Sequence, residues 1–249
     1  LINFKLIMNN VTYQNDQSTV CAIMQPTFLP WLGYFNLISR VEKFVFLDDV
    51  QLSKQSWQTR NKFFAGRNVN WVSCPIPKKT SKDTRICDVS ISQNTNWRSK
   101  LIKTIKQNYT KTPFFNDCLD LLSIIESAPT HNLSVFNQHI IMSASTHLDL
   151  NTKFVVASDL ECGGKKSHHL LEICRAINAN HYLSPKGAQE YIEEEGVLVN
   201  ELDSITYQNY VPRPYVQHHS SEFVSHLSIV DAVANIGWNA TKQHITGTL

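Results

Sequence analysis

The 249 residues carry 42% hydrophobic and 18% charged side chains, and 23 basic against 21 acidic residues leave a formal net charge of +2. A chain of this length can bury a sizeable core. No run approaches the roughly 18 consecutive apolar residues that cross a bilayer, so membrane insertion is not expected, and no window gathers bases into a nucleic-acid-binding stripe. The six cysteines are scattered, with no C-x-x-C pair or Cys/His cluster at zinc-ligand spacing, and are expected as reduced, mostly buried thiols.

In chain order, residues 1–8 lack the basic start, apolar centre and small-residue cleavage site of a secretory signal, which makes the cytoplasm the default location. The start at Leu1 and the polar run 9–18 predict a disordered leader or an upstream start-site artefact over 1–18, followed by one α/β domain over 19–249. Residues 20–24 read as a buried strand and 43–48 as a second. Between them Trp31, Tyr34, Phe35, Leu37, Ile38 and Val41 recur at near-helical spacing. This strand-helix-strand unit predicts a parallel, Rossmann-like sheet. Residues 59–76 read as an inserted β-hairpin around Ala65-Gly-Arg-Asn68. A helical block over about 96–150 follows, with Trp97, Leu101, Ile105 and Tyr109 in one stripe, a break at Pro113, and helices over 115–125 and 133–148. The α/β alternation then resumes: strand 154–157, helix 165–176, strand 181–184, helix 188–195, strand 197–199. A loop over 209–223 and a helix over 227–236 before Gly237 end the chain.

A loop leaving the first parallel strand and entering a helix is where α/β proteins place ligands. That makes Gln25, Trp31, Gly33 and Tyr34 candidates. Trp31-Leu-Gly-Tyr34 stands where nucleotidylyltransferase-like folds carry His-x-Gly-His, with a glycine that lets backbone approach phosphate but with no imidazole. Trp31, Tyr34 and Phe35 serve equally as core anchors beside a loop stiffened by Pro26 and Pro30.

The segments Gln25-Pro-Thr-Phe-Leu-Pro-Trp-Leu-Gly-Tyr-Phe35, Phe44-Val-Phe-Leu-Asp-Asp-Val-Gln51 and Lys54-Gln-Ser-Trp-Gln-Thr-Arg-Asn61 resemble the WbqC-like protein family in residues and spacing. Trp97, Tyr109 with Pro113-Phe-Phe115, Tyr182-Leu-Ser184 with Gly187, Ala188 and Tyr191, and Leu227-Ser-Ile-Val-Asp231 with Asn235 and Gly237 extend the resemblance almost to the C-terminus. It implies a bacterial protein of O-antigen or other surface-polysaccharide (lipopolysaccharide) biosynthesis, with glycine transfer as the suggested activity. The family usually places His directly before Gln-Pro, where this chain has Met24. If that His moves protons elsewhere, another group must do so here.

Among the matched residues, Asp48 and Asp49 end the second strand. They could hold Mg²⁺, orient an amine or cap a turn. Lys54, Trp57, Arg60 and Asn61 combine cations, an aromatic face and an amide, a set that can grip phosphate while Trp57 stacks on a base or sugar. Ser184-Pro-Lys-Gly187 is either an anion cradle or an ordinary strand-helix turn. Asp231 and Asn235 share a helix face near Gln217 and His218, and either complete a polar site or cross-link the C-terminal segment. His168-His169 and His218-His219 lack a third ligand, and Gly163-Gly-Lys-Lys-Ser167 lacks P-loop spacing.

The expected function is transfer of glycine or a similar small acyl group, from a small amino acid or an activated donor, to a nucleotide-linked amino sugar, with ATP and Mg²⁺ as the cofactors such chemistry would use. Asp48, Asp49, Lys54 and Tyr34 form the expected catalytic group. Gln25, Trp31, Gly33, Trp57, Arg60, Asn61, Ser184, Gly187, Gln217, Asp231 and Asn235 form the binding group. The alternatives are a non-catalytic sugar-nucleotide-binding or assembly protein and, from the paired carboxylates, a glycosyltransferase.

Overall fold

Val-Cys-Ala-Ile-Met forms a strand buried on both faces, β1 (Val20–Met24), in the computed structural model, which describes residues 19–53, 55–81, 83–93, 96–129 and 131–248. Successive side chains take opposite sides of the sheet. Ala22 therefore joins one apolar core while Cys21 and Ile23 join a second. After α1 (Leu32–Ser39), β2 (Lys43–Phe46) repeats the division, with Phe44 and Phe46 in the first core and Val45 in the second. The two strands pair in parallel from Cys21 opposite Lys43 to Met24 opposite Phe46.

The hairpin follows as β3 (Arg60–Ala65) and β4 (Asn68–Ser73), antiparallel, and Gly66 opens its two-residue turn at φ 67°, where II′ turns need glycine. The helical block is α2 (Trp97–Tyr109), α3 (Phe115–Ser127) and α4 (Leu133–His147), and its predicted stripe of Trp97, Leu101, Ile105 and Tyr109 is buried. The rest of the chain gives β5 (Lys153–Val156), α5 (Ser167–Ala176), β6 (His181–Ser184), α6 (Gln189–Glu195), α7 (Val197–Glu201), β7 (Ser204–Tyr207) and α8 (Ile229–Thr246).

The main sheet is wholly parallel in the order β5-β2-β1-β6-β7. The first core holds residues of α1 to α4, the hairpin and α8, and the second holds residues of α5, α6 and α7. The chain grows outward from β1 through β2 to β5, then crosses to the other side for β6 and β7. The strand order therefore reverses between β1 and β6, which opens a crevice beyond their carboxyl ends.

Three expectations meet corrections or limits. Residues 197–199 form α7 rather than a strand: Gly196, left-handed at φ 65°, ends α6, and of the Val-Leu-Val run Leu198 is buried while Val199 is 51% exposed. The outer strand is β7 instead. The last helix does not stop at Gly237 but kinks there, at φ 73° and ψ 171°. A Cβ at Gly237 would lie 2.6 Å from the Phe114 ring, and Asp117 of α3 accepts the Trp238 amide at 2.9 Å, restarting the helix as an N-cap does. The 1–18 leader and Lys54 lie outside the described residues.

Candidate functional site

Between β1 and α1 the chain is tied down almost carbonyl by carbonyl. Asn137 of α4 donates its Nδ2 to Pro26 O at 3.0 Å, and the Phe28 amide donates to Trp57 O at 2.9 Å. Asn61 of β3, fully buried, donates to Phe28 O at 3.1 Å and Leu29 O at 2.8 Å, while its own Oδ1 accepts the Lys62 amide. The Ile229 amide closes on Pro30 O at 2.8 Å. This bracing holds Leu29 at φ 43°, a conformation that side-chain-bearing residues seldom adopt. Tyr34, expected to be catalytic, donates its hydroxyl to Gln25 O at 3.0 Å, and burial pushes that hydroxyl well above the usual tyrosine range. Tyr34 and Asn61 thus position the loop.

The crevice beyond β1 and β6 consists of two cavities. One of about 270 Å³ lies on the α1 side, with Met24, Trp31, Gly33, Tyr34, Lys186 and Tyr210 in its walls. The other, about 250 Å³, lies on the α5 side against Gln25, Leu47, Leu170 and Tyr191. Met24 and Gly187 line both. Gly187 needs no glycine for its own packing, because no described atom lies within 4 Å of where its Cβ would stand. Gly33 differs: a Cβ there would meet the Trp31 indole at 2.2 Å. The close approach that Gly33 permits is that of Trp31, whose ring also packs on His226 at 4.4 Å and Tyr210 at 5.6 Å. Burial pushes the Tyr210 hydroxyl up to about 12. Ser184, at the end of β6, is fully buried and donates its hydroxyl to Pro185 O.

The adjacent carboxylates diverge, as neighbours at a strand end do. Asp48 turns toward α4: Ser134 Oγ and Gln138 Nε2 donate to its Oδ2 at 2.8 and 3.3 Å, and the Ser158 amide donates to its Oδ1 at 3.1 Å. Asp49 turns toward α5, where its Oδ2 lies 3.0 Å from His169 Nε2. His169 Nδ1 is 2.8 Å from Gly163 O, so the ring is held from both of its nitrogens. The two carboxylates therefore do not converge on one point, and among the described residues no group of three His, Cys, Asp or Glu side chains is placed to hold a metal ion. Asp49 Oδ1 is different. It is buried, on a side chain only 10% exposed, with no hydrogen-bond partner among the described residues. That oxygen can accept a proton or a hydrogen bond from an amine.

Neither aspartate lines the two cavities, and the remaining candidates also fall outside the crevice. Trp57 and Trp71, 44% and 49% exposed, pack at 5.2 Å on the hairpin, and Arg60 stacks over the Trp71 ring at 4.4 Å. Asp231 is a buried hub: Tyr109 OH donates to its Oδ1 at 3.0 Å, and Tyr215 OH and Gln217 Nε2 each donate to its Oδ2 at 2.8 Å. Burial raises its proton affinity against those bonds. Asn235 accepts the His218 amide and donates to Asp231 O. Gln217, Asp231 and Asn235 thus fasten the segment after β7 onto α8.

Two positioning residues carried little signal in the sequence. His169 belongs to a histidine pair that attracts only a metal reading, and Asn137 is an unmarked amide inside a helical pattern.

A profile of the WbqC-like protein family matches residues 25–243, which include the crevice loop, both carboxylates and most of α8. The chain is also 29% identical over 222 residues to the uncharacterized protein Rv1507c of Mycobacterium tuberculosis, an alignment covering 88% of this chain and 94% of that protein. No solved structure matches the chain.

Proposed function

The chain belongs to the WbqC-like protein family, and from that premise we propose that it acts in surface-polysaccharide synthesis, transferring glycine or a similar small acyl group to a nucleotide-linked amino sugar bound across the crevice. The observation that supports this reading is the pair of cavities at the strand-order reversal, which meet at Met24 and Gly187. Ligands of open parallel sheets lie at such a reversal. On the α1 side, the Trp31 and Tyr210 rings offer faces for a base or sugar, and Lys186 offers charge for phosphate. Asp49 lines neither cavity and its Oδ1 is closed to solvent, but it stands two residues beyond Leu47 of the α5-side wall and is steadied through Oδ2 by His169. It is the group that would take the proton released when the sugar amine attacks the acyl carbon, once bound substrate uncovers it. ATP is the proposed source of acyl activation: the glycine carboxylate would attack the α-phosphorus and expel pyrophosphate, and the sugar amine would then displace AMP from the acyl adenylate.

A second reading, a sugar-nucleotide-binding protein without turnover, is favoured by one residue. Met24 lines both cavities and puts a thioether at the centre of the crevice, where the family usually carries an imidazole. Incubation with ATP, Mg²⁺, glycine and a panel of nucleotide-linked amino sugars, followed by product mass, separates the readings. A glycyl mass gain that Asp49→Asn abolishes supports transfer. Binding without mass gain, with turnover appearing in Met24→His, supports a binder that has lost its proton-transfer group. Absence of both binding and mass gain with every sugar overturns the proposal.

A further inference from the structure

Beside the crevice, and separated from it only by the shared wall of Asn209, Tyr210 and Val211, lies a third cavity of about 350 Å³ between the end of α1, the segment after β7 and the end of α8. Its charged lining has one sign. Arg40 and Arg213 lie on it with His244, and no aspartate or glutamate does. Among the described residues neither guanidinium has an acidic partner within ion-pair distance, whereas Arg85, Lys166 and Lys242 each have one and Arg175 has two.

The ordinary explanation for cations at helix ends is that they cap the last carbonyls. Here those carbonyls already have donors: Tyr210 OH reaches His244 O at 3.2 Å, Asn36 Nδ2 reaches Ile245 O at 2.7 Å, and the Gly247 amide reaches Gln243 O at 2.9 Å. The guanidiniums are left over. His244 is 8% exposed, and its Nδ1 is buried with no hydrogen-bond partner among the described residues. A buried ring nitrogen without a partner is uncommon in folded proteins. Burial and the neighbouring Arg213 charge hold the imidazole below its usual range, against the opposing pull of a hydrogen bond to the Arg213 backbone.

We infer that this cavity is a binding site for a phosphate-class anion, gripped by Arg40 and Arg213 with His244 at its floor. The planar, permanently charged guanidinium suits phosphoryl oxygens, which it can engage through two N–H groups at once. A volume of about 350 Å³ accommodates a diphosphate. The assignment holds whatever occupies the crevice, although a ligand that reaches over Tyr210 would touch both spaces.

The test is calorimetric titration of the full chain with inorganic pyrophosphate, with succinate as a carboxylate control, on wild type, Arg40→Gln, Arg213→Gln and Gly187→Val. Both arginine side chains are at the surface, so melting temperatures should be unchanged and losses of binding interpretable. Pyrophosphate is expected to bind wild type and Gly187→Val alike, and to bind each arginine variant about tenfold more weakly or worse, in line with loss of a charge-assisted contact. It is also expected to shift the His244 ring resonances in NMR spectra. No pyrophosphate binding by wild type, equal affinity in the Arg40→Gln/Arg213→Gln double variant, or succinate binding as tight as pyrophosphate would overturn the assignment. Loss of pyrophosphate binding in Gly187→Val would overturn it as well, by moving the anion into the crevice.

Discussion

Asn61→Ala is the sharpest probe of how the crevice wall is held. The buried amide donates to Phe28 O and Leu29 O and accepts from the Lys62 amide, so truncation strips partners from three backbone groups. An unsatisfied buried polar group costs about 1–3 kcal/mol, and with water and local relaxation recovering part of that, the net loss should be about 3 kcal/mol. For a urea slope of about 2 kcal/mol/M, the unfolding midpoint falls by about 1.5 M with the slope unchanged. Ligand binding should weaken only in proportion to disorder in the Phe28-Leu29 turn, whose strained φ then keeps only the flanking bonds to Trp57, Asn137 and Ile229. The assay is paired: urea denaturation followed by fluorescence, and nucleotide-sugar affinity under native conditions. A midpoint within about 0.3 M of wild type, together with a tenfold loss of affinity, would refute the reasoning and make Asn61 a ligand contact.

Asp231 gives a pH test with a definite sign. Its folded-state proton affinity is raised from 3.8, chiefly by burial. Protonation therefore favours the folded state: the contribution is complete below the ordinary carboxylate range and is lost as pH rises through the higher folded value. Relative to Asp231→Asn, wild-type stability should fall as pH climbs from 3.8 toward neutrality, and a flat difference in chemical-denaturation midpoints would refute this. Gly33→Ala and Gly187→Ala should part company. The first drives a Cβ into the Trp31 indole and should shift tryptophan emission and lower the melting temperature, while the second meets open space and should leave melting unchanged. Trp71→Ala removes a half-exposed ring outside the crevice and should change neither sugar-nucleotide affinity nor crevice fluorescence quenching by ligand.

The parallel sheet was readable because β1 and β2 carry side chains that must be buried on both faces, and the α2 stripe because Trp97, Leu101, Ile105 and Tyr109 keep helical spacing. The misreadings share a local cause. Val197-Leu-Val199 has strand composition, but only Leu198 finds the core once Gly196 has turned the chain. Gly237 has stop-signal chemistry, but Asp117, from another helix, supplies the cap that lets helix resume. In the site, the motif marked the region, and Gln25, Trp31, Gly33, Tyr34 and Gly187 do line the crevice cavities. It did not separate residues that face open space from residues that brace it. Asn61, Tyr34, Asp48 and Asp231 differ from ligand groups only in where their hydrogen bonds end, and those partners lie up to 122 residues away, as for Tyr109 and Asp231. The Arg40 and Arg213 cavity was invisible for the same reason, since its walls come from opposite ends of the chain.

The loop from Gln25 to Trp31 takes its bracing from β3, the Trp57 segment, α4 and the start of α8. No short fragment of the chain can assemble this wall, because its hydrogen-bonding partners are encoded from residue 57 to residue 229. Recognition and global folding therefore share one cooperative unit, and a ligand that fills the crevice stabilises the whole molecule rather than a flap. Occupancy at 100 times the dissociation constant would add about 2.7 kcal/mol to the unfolding free energy. Heat-denaturation screening of sugar nucleotides thus becomes a direct search for the natural ligand, carried out without presuming any reaction.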